Sequence, residues 1–75
     1  MTTLSSTAGS PQALVADGQR VYWADEDGTI RSVPVGGGPE IVNASQQGGP
    51  AGLVLDAKAI YWINRGDGTV MKVAR

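Results

Sequence analysis

The feature that most constrains the fold is an aromatic pair that occurs twice. Tyr22-Trp23 returns 39 positions later as Tyr61-Trp62. After the pair, the stretch from Asp27 to Ile30 returns 40 positions later as Asp67-Gly68-Thr69-Val70, so the second copy has one additional residue in its turn. A repeat of this length indicates that the chain is built from two similar units. The other residues that recur 39 positions later are Pro11, Leu14, Val15 and Asp17, which return as Pro50, Leu53, Val54 and Asp56.

A period near 40 residues is shared by β-propeller blades and by some helical repeats. Here the repeated segments are rich in β-branched and aromatic residues and are separated by Gly, Pro and Asp-Gly, which favours strands. We therefore predict two propeller blades: blade one over 9–47, blade two over 48–75 with three strands, and an N-terminal segment over 1–8. The predicted strands are 12–17, 20–25, 28–34, 40–43, 51–56, 58–64 and 68–74.

The motif around the first aromatic pair resembles a known family. Leu14-Val15-Ala16-Asp17, Val21-Tyr22-Trp23-Ala24-Asp25 and Gly28-Thr29-Ile30-Arg31 resemble the YWTD β-propeller repeat of the low-density-lipoprotein-receptor family. The second copy, with Ile60-Tyr61-Trp62-Ile63-Asn64, is similar but departs in its last two motif positions, and both copies have a shorter connection before Tyr-Trp. The resemblance implies an all-β propeller. It implies little about activity, because propellers serve many unrelated functions.

Two blades cannot close a ring, and each end of such a pair would expose an apolar sheet face. We therefore expect identical chains to join, or the chain to be part of a longer propeller. Two blades per chain restrict a closed ring to an even number of blades. The family resemblance favours six, hence a cyclic trimer; a tetramer and a pentamer are the other possibilities.

The second predicted blade lacks a fourth strand. Counting 39 positions back from the outer strand of blade one leads to Thr2, Thr3 and Leu4. We predict that these residues complete blade two of a neighbouring chain by strand addition, which would cover its open edge.

Each aromatic pair has two interpretations. Adjacent residues in a strand point to opposite faces, so in a propeller each pair would direct one ring toward each flanking blade. On this favoured interpretation Tyr22, Trp23, Tyr61 and Trp62 form the core between blades. The alternative is an aromatic cage around a ligand.

The acidic residues also have two interpretations each. Asp17 and Asp56 follow the innermost strands, where a ring of carboxylates would attract a cation. A turn cap that accepts backbone N–H groups two residues further on is the favoured interpretation. Asp25-x-Asp27-Gly28 matches the start of a calcium loop, but Gly36 stands where that loop needs a Glu, so a hairpin turn is favoured.

Composition argues against catalysis. The chain has no His and no Cys, and its net charge is −1, so the commonest general base, thiolate chemistry and a polybasic surface are all missing. We expect no catalytic residue, metal site or cofactor, and neither nucleic acid nor a membrane as partner. The expected function is a binding or scaffolding platform. The alternatives are a metal-dependent hydrolase or lactonase with a carboxylate-lined channel, and a propeller fragment without a ligand. The polar residues expected at the mouth of the ring are Glu26, Arg31, Gln46, Gln47 and Arg65.

Overall fold

A computed structural model describes residues 11–75, which form an all-β structure. The predicted N-terminal strand at Thr2, Thr3 and Leu4 lies outside these residues. Each of the other predicted strands is present, with ends that differ by at most two residues from the prediction. The strands are β1 (Pro11–Ala16), β2 (Arg20–Asp25), β3 (Ile30–Pro34), β4 (Ile41–Ala44), β5 (Pro50–Leu55), β6 (Ala59–Asn64) and β7 (Thr69–Ala74).

The strands form two antiparallel sheets in which chain neighbours are also sheet neighbours. Sheet one has the order β1-β2-β3-β4, and sheet two has the order β5-β6-β7. In sheet one Trp23 pairs with Leu14 on one side and Arg31 on the other. In sheet two Tyr61 lies between Val54 and Lys72. Because successive side chains alternate between faces, these pairings decide which residues share a surface.

The turns before β3 and β7 explain why both strands begin later than predicted. Gly28 has φ of 93°, a conformation that glycine adopts readily, and its N–H donates to the Asp25 carbonyl at 3.0 Å. Asp27 Oδ1 accepts the backbone N–H of Thr29 at 3.0 Å, which keeps Thr29 within the turn. Gly68 also has a positive φ, 72°, and its N–H donates to the Asn64 carbonyl at 2.9 Å, one residue further back than in the first turn. The hairpin interpretation of Asp25-x-Asp27-Gly28 is therefore confirmed.

The hydrophobic core lies between the two sheets. Sheet one contributes Tyr22, Ala24 and Ile30, which share one face because Ala24 pairs with Ile30. The residues on sheet two that pack against them are Leu53, Ile60 and Trp62. Each sheet thus covers one face of the other.

The connection between the sheets contacts both of them at one end of the strands. Gln47 N–H donates to the Gly28 carbonyl at 2.9 Å, and Gly66 N–H donates to the Gly48 carbonyl at 2.8 Å. At the opposite end Arg75, which follows β7, contacts the carboxylate of Asp17 in the first turn of sheet one. These contacts tie the two sheets together at both ends.

Candidate functional site

The outward face of sheet two exposes several apolar side chains to solvent. Val54 is 57 % exposed, Ile63 46 % and Val70 75 %, and Tyr61 is half-buried beside them. Val54 pairs with Tyr61 and Ile63 pairs with Val70, so the four side chains share one face. We call this set of residues the sheet-two face. Contiguous exposed apolar surface of this kind is typical of an interaction site.

The outward face of sheet one has a different exposure. Leu14 is 66 % exposed, whereas Trp23 and Val33 are buried at 4 % and 1 % exposure. Leu14 pairs with Trp23, and Val21 pairs with Val33, so these residues lie on the side of the sheet opposite to Tyr22. We call Leu14, Val21, Trp23 and Val33 the sheet-one face.

The four aromatic residues therefore occupy different environments. Tyr22 and Trp62 are in the core between the sheets. Trp23 is buried on the sheet-one face, and its indole N–H has no hydrogen-bond partner among the described residues. Tyr61 is half-buried on the sheet-two face.

A chain of side-chain hydrogen bonds that sequence reasoning missed links sheet two to the connection before it. Trp62 Nε1 donates to Asn64 Oδ1 at 3.0 Å, and Asn64 Nδ2 donates to Gln47 Oε1 at 2.9 Å. These bonds satisfy the polar atoms of a tryptophan and an asparagine that are both buried. The indole donor signalled that a partner was needed, but nothing in the sequence identified Gln47.

Asp17 and Asp56 cap the turns that follow β1 and β5, as predicted. Asp17 Oδ1 accepts the backbone N–H groups of Gln19 and Arg20, each at 2.8 Å. Asp56 Oδ1 accepts those of Lys58 and Ala59, also at 2.8 Å. The second carboxylate oxygen of each residue accepts a tyrosine hydroxyl, from Tyr22 at 3.4 Å and from Tyr61 at 2.6 Å.

These hydrogen bonds shift the pKa values of Asp56 and Tyr61 in sheet two. The Tyr61 hydroxyl bond, with the two backbone N–H bonds, lowers the pKa of Asp56 because all of them favour the charged carboxylate. The same bond to Asp56 raises the pKa of Tyr61, because it favours the phenol that still holds its proton. Asp56 is therefore a carboxylate that already accepts three hydrogen bonds, two from its own turn and one from Tyr61.

The polar residues expected at a mouth divide into two groups. Arg31 donates to Thr29 Oγ1 at 2.9 Å and forms ion pairs with Asp27 and Glu40, and Gln47 is held by Gly28 and Asn64. The other three, Glu26, Gln46 and Arg65, have exposed side chains in or beside the turns and the connection at one end of the strands.

The described part of the chain contains no group of three or more His, Cys, Asp or Glu side chains arranged to hold a metal ion. Within residues 11–75 no helix is long and apolar enough to cross a membrane. No protein family model, curated protein or solved structure matches this chain.

Proposed function

We propose that identical copies of this chain join into a closed β-propeller, and that the ring is a non-enzymatic binding or scaffolding platform. The observation that carries this proposal is the sheet-two face, where Val54, Ile63 and Val70 expose apolar surface on the side away from the core. Burying this surface against another chain would remove it from water, with a gain of about 25 cal/mol for each Å² of apolar area.

The packing within the chain supports the ring. The two sheets lie face to face with aromatic and aliphatic side chains between them. Stacking of further sheets in the same way would bury a continuous core, and units of this type need neighbours for stability. Within our proposal each chain supplies two blades, and a trimer of six blades is the favoured ring. Tetramers and pentamers are the other ring sizes that two-blade chains can form.

The edge of sheet two gives residues 1–8 a role in the same proposal. Among residues 11–75, β7 is the last strand of its sheet, whereas β3 at the corresponding position is followed by β4. In the assembly Thr2, Thr3 and Leu4 of a neighbouring chain supply the missing fourth strand. Strand addition satisfies backbone groups along the edge and joins the chains together.

The mouth of the ring carries the binding role in this proposal. Glu26, Gln46 and Arg65 are exposed on turns and on the connection at one end of the strands, and a ring of copies would repeat them around one opening. Loops held by a rigid sheet framework are common places for binding residues.

Native mass spectrometry and light scattering of the full chain test the proposal. We expect a single species with three copies, whose mass is unchanged on tenfold dilution. A chain that lacks residues 1–8 is expected to lose this species or to melt at a lower temperature. A stably folded single chain in dilute solution would contradict the ring, and a deletion variant with the same assembly and melting temperature would contradict the strand addition.

A further inference from the structure

The interface between the two sheets of one chain provides a template for contacts between chains. On its sheet-one side, Tyr22, Ala24 and Ile30 are buried and Val15 packs beside them. The residues 39 or 40 positions later are Tyr61, Ile63, Val70 and Val54. These four are the sheet-two face. An apolar surface that already accepts a sheet within the chain thus has an exposed counterpart on the other side of the molecule.

The sheet-two side of the buried interface also has a counterpart, on the outward face of sheet one. Leu53, Ile60 and Trp62 are the sheet-two residues of the buried interface. The residues 39 positions earlier are Leu14, Val21 and Trp23. They belong to the sheet-one face, because Leu14 pairs with Trp23 and both lie opposite to the core. Leu14 is 66 % exposed in the single chain, whereas Trp23 is buried at 4 % exposure, so Leu14 is the part of this face that is open to a second copy without rearrangement.

We propose that a second copy of the chain docks head to tail, with the sheet-one face of one copy on the sheet-two face of the other. The contact continues the existing interface in its own register. Leu14 of one copy lies beside Val54 of its neighbour, as Leu53 and Val15 lie in one cluster within the chain. The inference rests on the proposed function, and it specifies which surfaces meet and in which direction.

Head-to-tail contact has a consequence that two-fold contact lacks. Two different faces meet at each junction, so every added copy leaves one face of each kind without a neighbouring copy until the assembly closes. Pairing of the sheet-two face with itself would stop at a dimer. The packing within the chain favours the first arrangement, because it joins unlike faces.

Lys72 on β7 lies beside the sheet-two face, because it pairs with Tyr61 on β6. The corresponding residue of sheet one is Ser32, which is buried and accepts a hydrogen bond from Arg20 Nε at 3.2 Å. Lys72 is exposed in the single chain, and in the assembly its aliphatic stem can cover apolar surface while the amine reaches water past the added strand. The lysine therefore fits at the rim of the proposed contact.

Cysteine cross-linking tests the direction of docking. The chain has no cysteine, so Leu14→Cys and Val54→Cys each introduce one thiol at an exposed position. The two variants are refolded together and separately, then oxidised with copper phenanthroline, and intact masses are measured under denaturing conditions. We expect a disulfide between one chain of each variant in the mixture and monomers in the separate samples. The double variant is expected to give cross-linked species up to the full copy number of the ring.

Three results would overturn the inference. Disulfide dimers of either single variant alone, formed as fast as the mixed dimer, would mean that like faces meet. An assembly detected by native mass spectrometry without any mixed disulfide would mean that the ring uses other surfaces, while the proposed function survives. A folded chain that forms neither an assembly nor a cross-link would contradict both the proposed function and the proposed docking.

A charge substitution gives a second measurement that does not depend on disulfide geometry. Val54→Lys places a charge in the sheet-two face and is expected to abolish the assembly while the circular dichroism spectrum is kept. Val35→Lys is the matched control, because Val35 is 44 % exposed in the turn after β3 and belongs to neither face. Equal native masses for the two variants would contradict the proposed docking.

Discussion

The hydroxyl of Tyr61 donates a hydrogen bond to Asp56 Oδ2 at 2.6 Å, across the turn that joins β5 to β6. The same carboxylate accepts the backbone N–H groups of Lys58 and Ala59 through its other oxygen. One aspartate thus fixes both the turn and the ring of a tyrosine on the sheet-two face. The hydrogen bond couples the ionisation of Asp56 to the position of the Tyr61 ring.

Tyr61→Phe should raise the pKa of Asp56 toward its ordinary value, because the hydroxyl bond is the largest of the effects that lower it. The lowered pKa of Asp56 stabilises the fold above the unfolded-state pKa, and this contribution is lost as the pH falls through the folded-state pKa. Carbon NMR titration of the carboxyl group measures the change. Asp67 is the internal control, because its pKa is lowered mainly by Thr69; an unshifted Asp56 in the variant would contradict the prediction.

Gly28→Ala should be more destabilising than Gly18→Ala. Both glycines have φ near 90°, so alanine at either position carries the same backbone strain of about 1–2 kcal/mol. A Cβ at Gly28 would also lie 2.7 Å from the Gln47 carbonyl oxygen, whereas a Cβ at Gly18 would have no neighbour within 4 Å. The clash should add about 1–3 kcal/mol. Urea unfolding of both variants measures the difference, and equal stabilities would show that the connection moves aside freely.

Trp62→Ala should lower the free energy of unfolding by about 3–5 kcal/mol, because it removes the largest side chain from the core between the sheets. Val35→Ala should change it by less than about 0.5 kcal/mol, because Val35 is exposed in a turn. Thermal and urea unfolding measure both effects. A Trp62 variant as stable as the Val35 variant would be incompatible with the packing described above.

Asn64→Ala should lower the free energy of unfolding by about 1–3 kcal/mol, because it leaves the Trp62 indole N–H and the Gln47 amide oxygen without their partner. A double-mutant cycle with Gln47→Ala should give a coupling of about 0.5–3 kcal/mol. The same cycle with Gln19→Ala is the control, since Gln19 is exposed in the turn after β1 and distant in sequence. Additive effects for Asn64 and Gln47 would mean that their bond contributes little.

The strands could be predicted from the sequence because their signals are local. β-branched and aromatic residues mark the strands, and Gly, Pro and Asp-Gly mark their ends. The cap at Asp17 was also predictable, because an aspartate after a strand accepts hydrogen bonds from the next backbone N–H groups. The starts of β3 and β7 were placed too early because Gly28 and Gly68 belong to the turns, and Asp27 also holds Thr29 in the first of these turns. A propensity argument does not detect that competition between side chain and strand.

The interactions between distant segments could not be predicted in the same way. Gln47 was considered only as a polar residue in a connection, yet it bonds to Asn64, 17 residues further along the chain. Arg31 likewise bonds to Glu40 on the approach to β4. Such partners depend on how the two sheets and their connections are placed in space, and the sequence alone offers several equally polar choices for each.

The connection holds the sheets at one end through Gly28 and Gly66, and Arg75 reaches Asp17 at the other. Contacts at both ends of the strands fix the angle between the two sheets, and this angle is the same in every copy of the chain. If that angle divides a full circle evenly, successive copies return to the starting point; a small mismatch instead produces a helical filament without a natural end. Changes to the contacts at these two ends should therefore alter the length and curvature of the proposed assembly before they prevent the chain from folding.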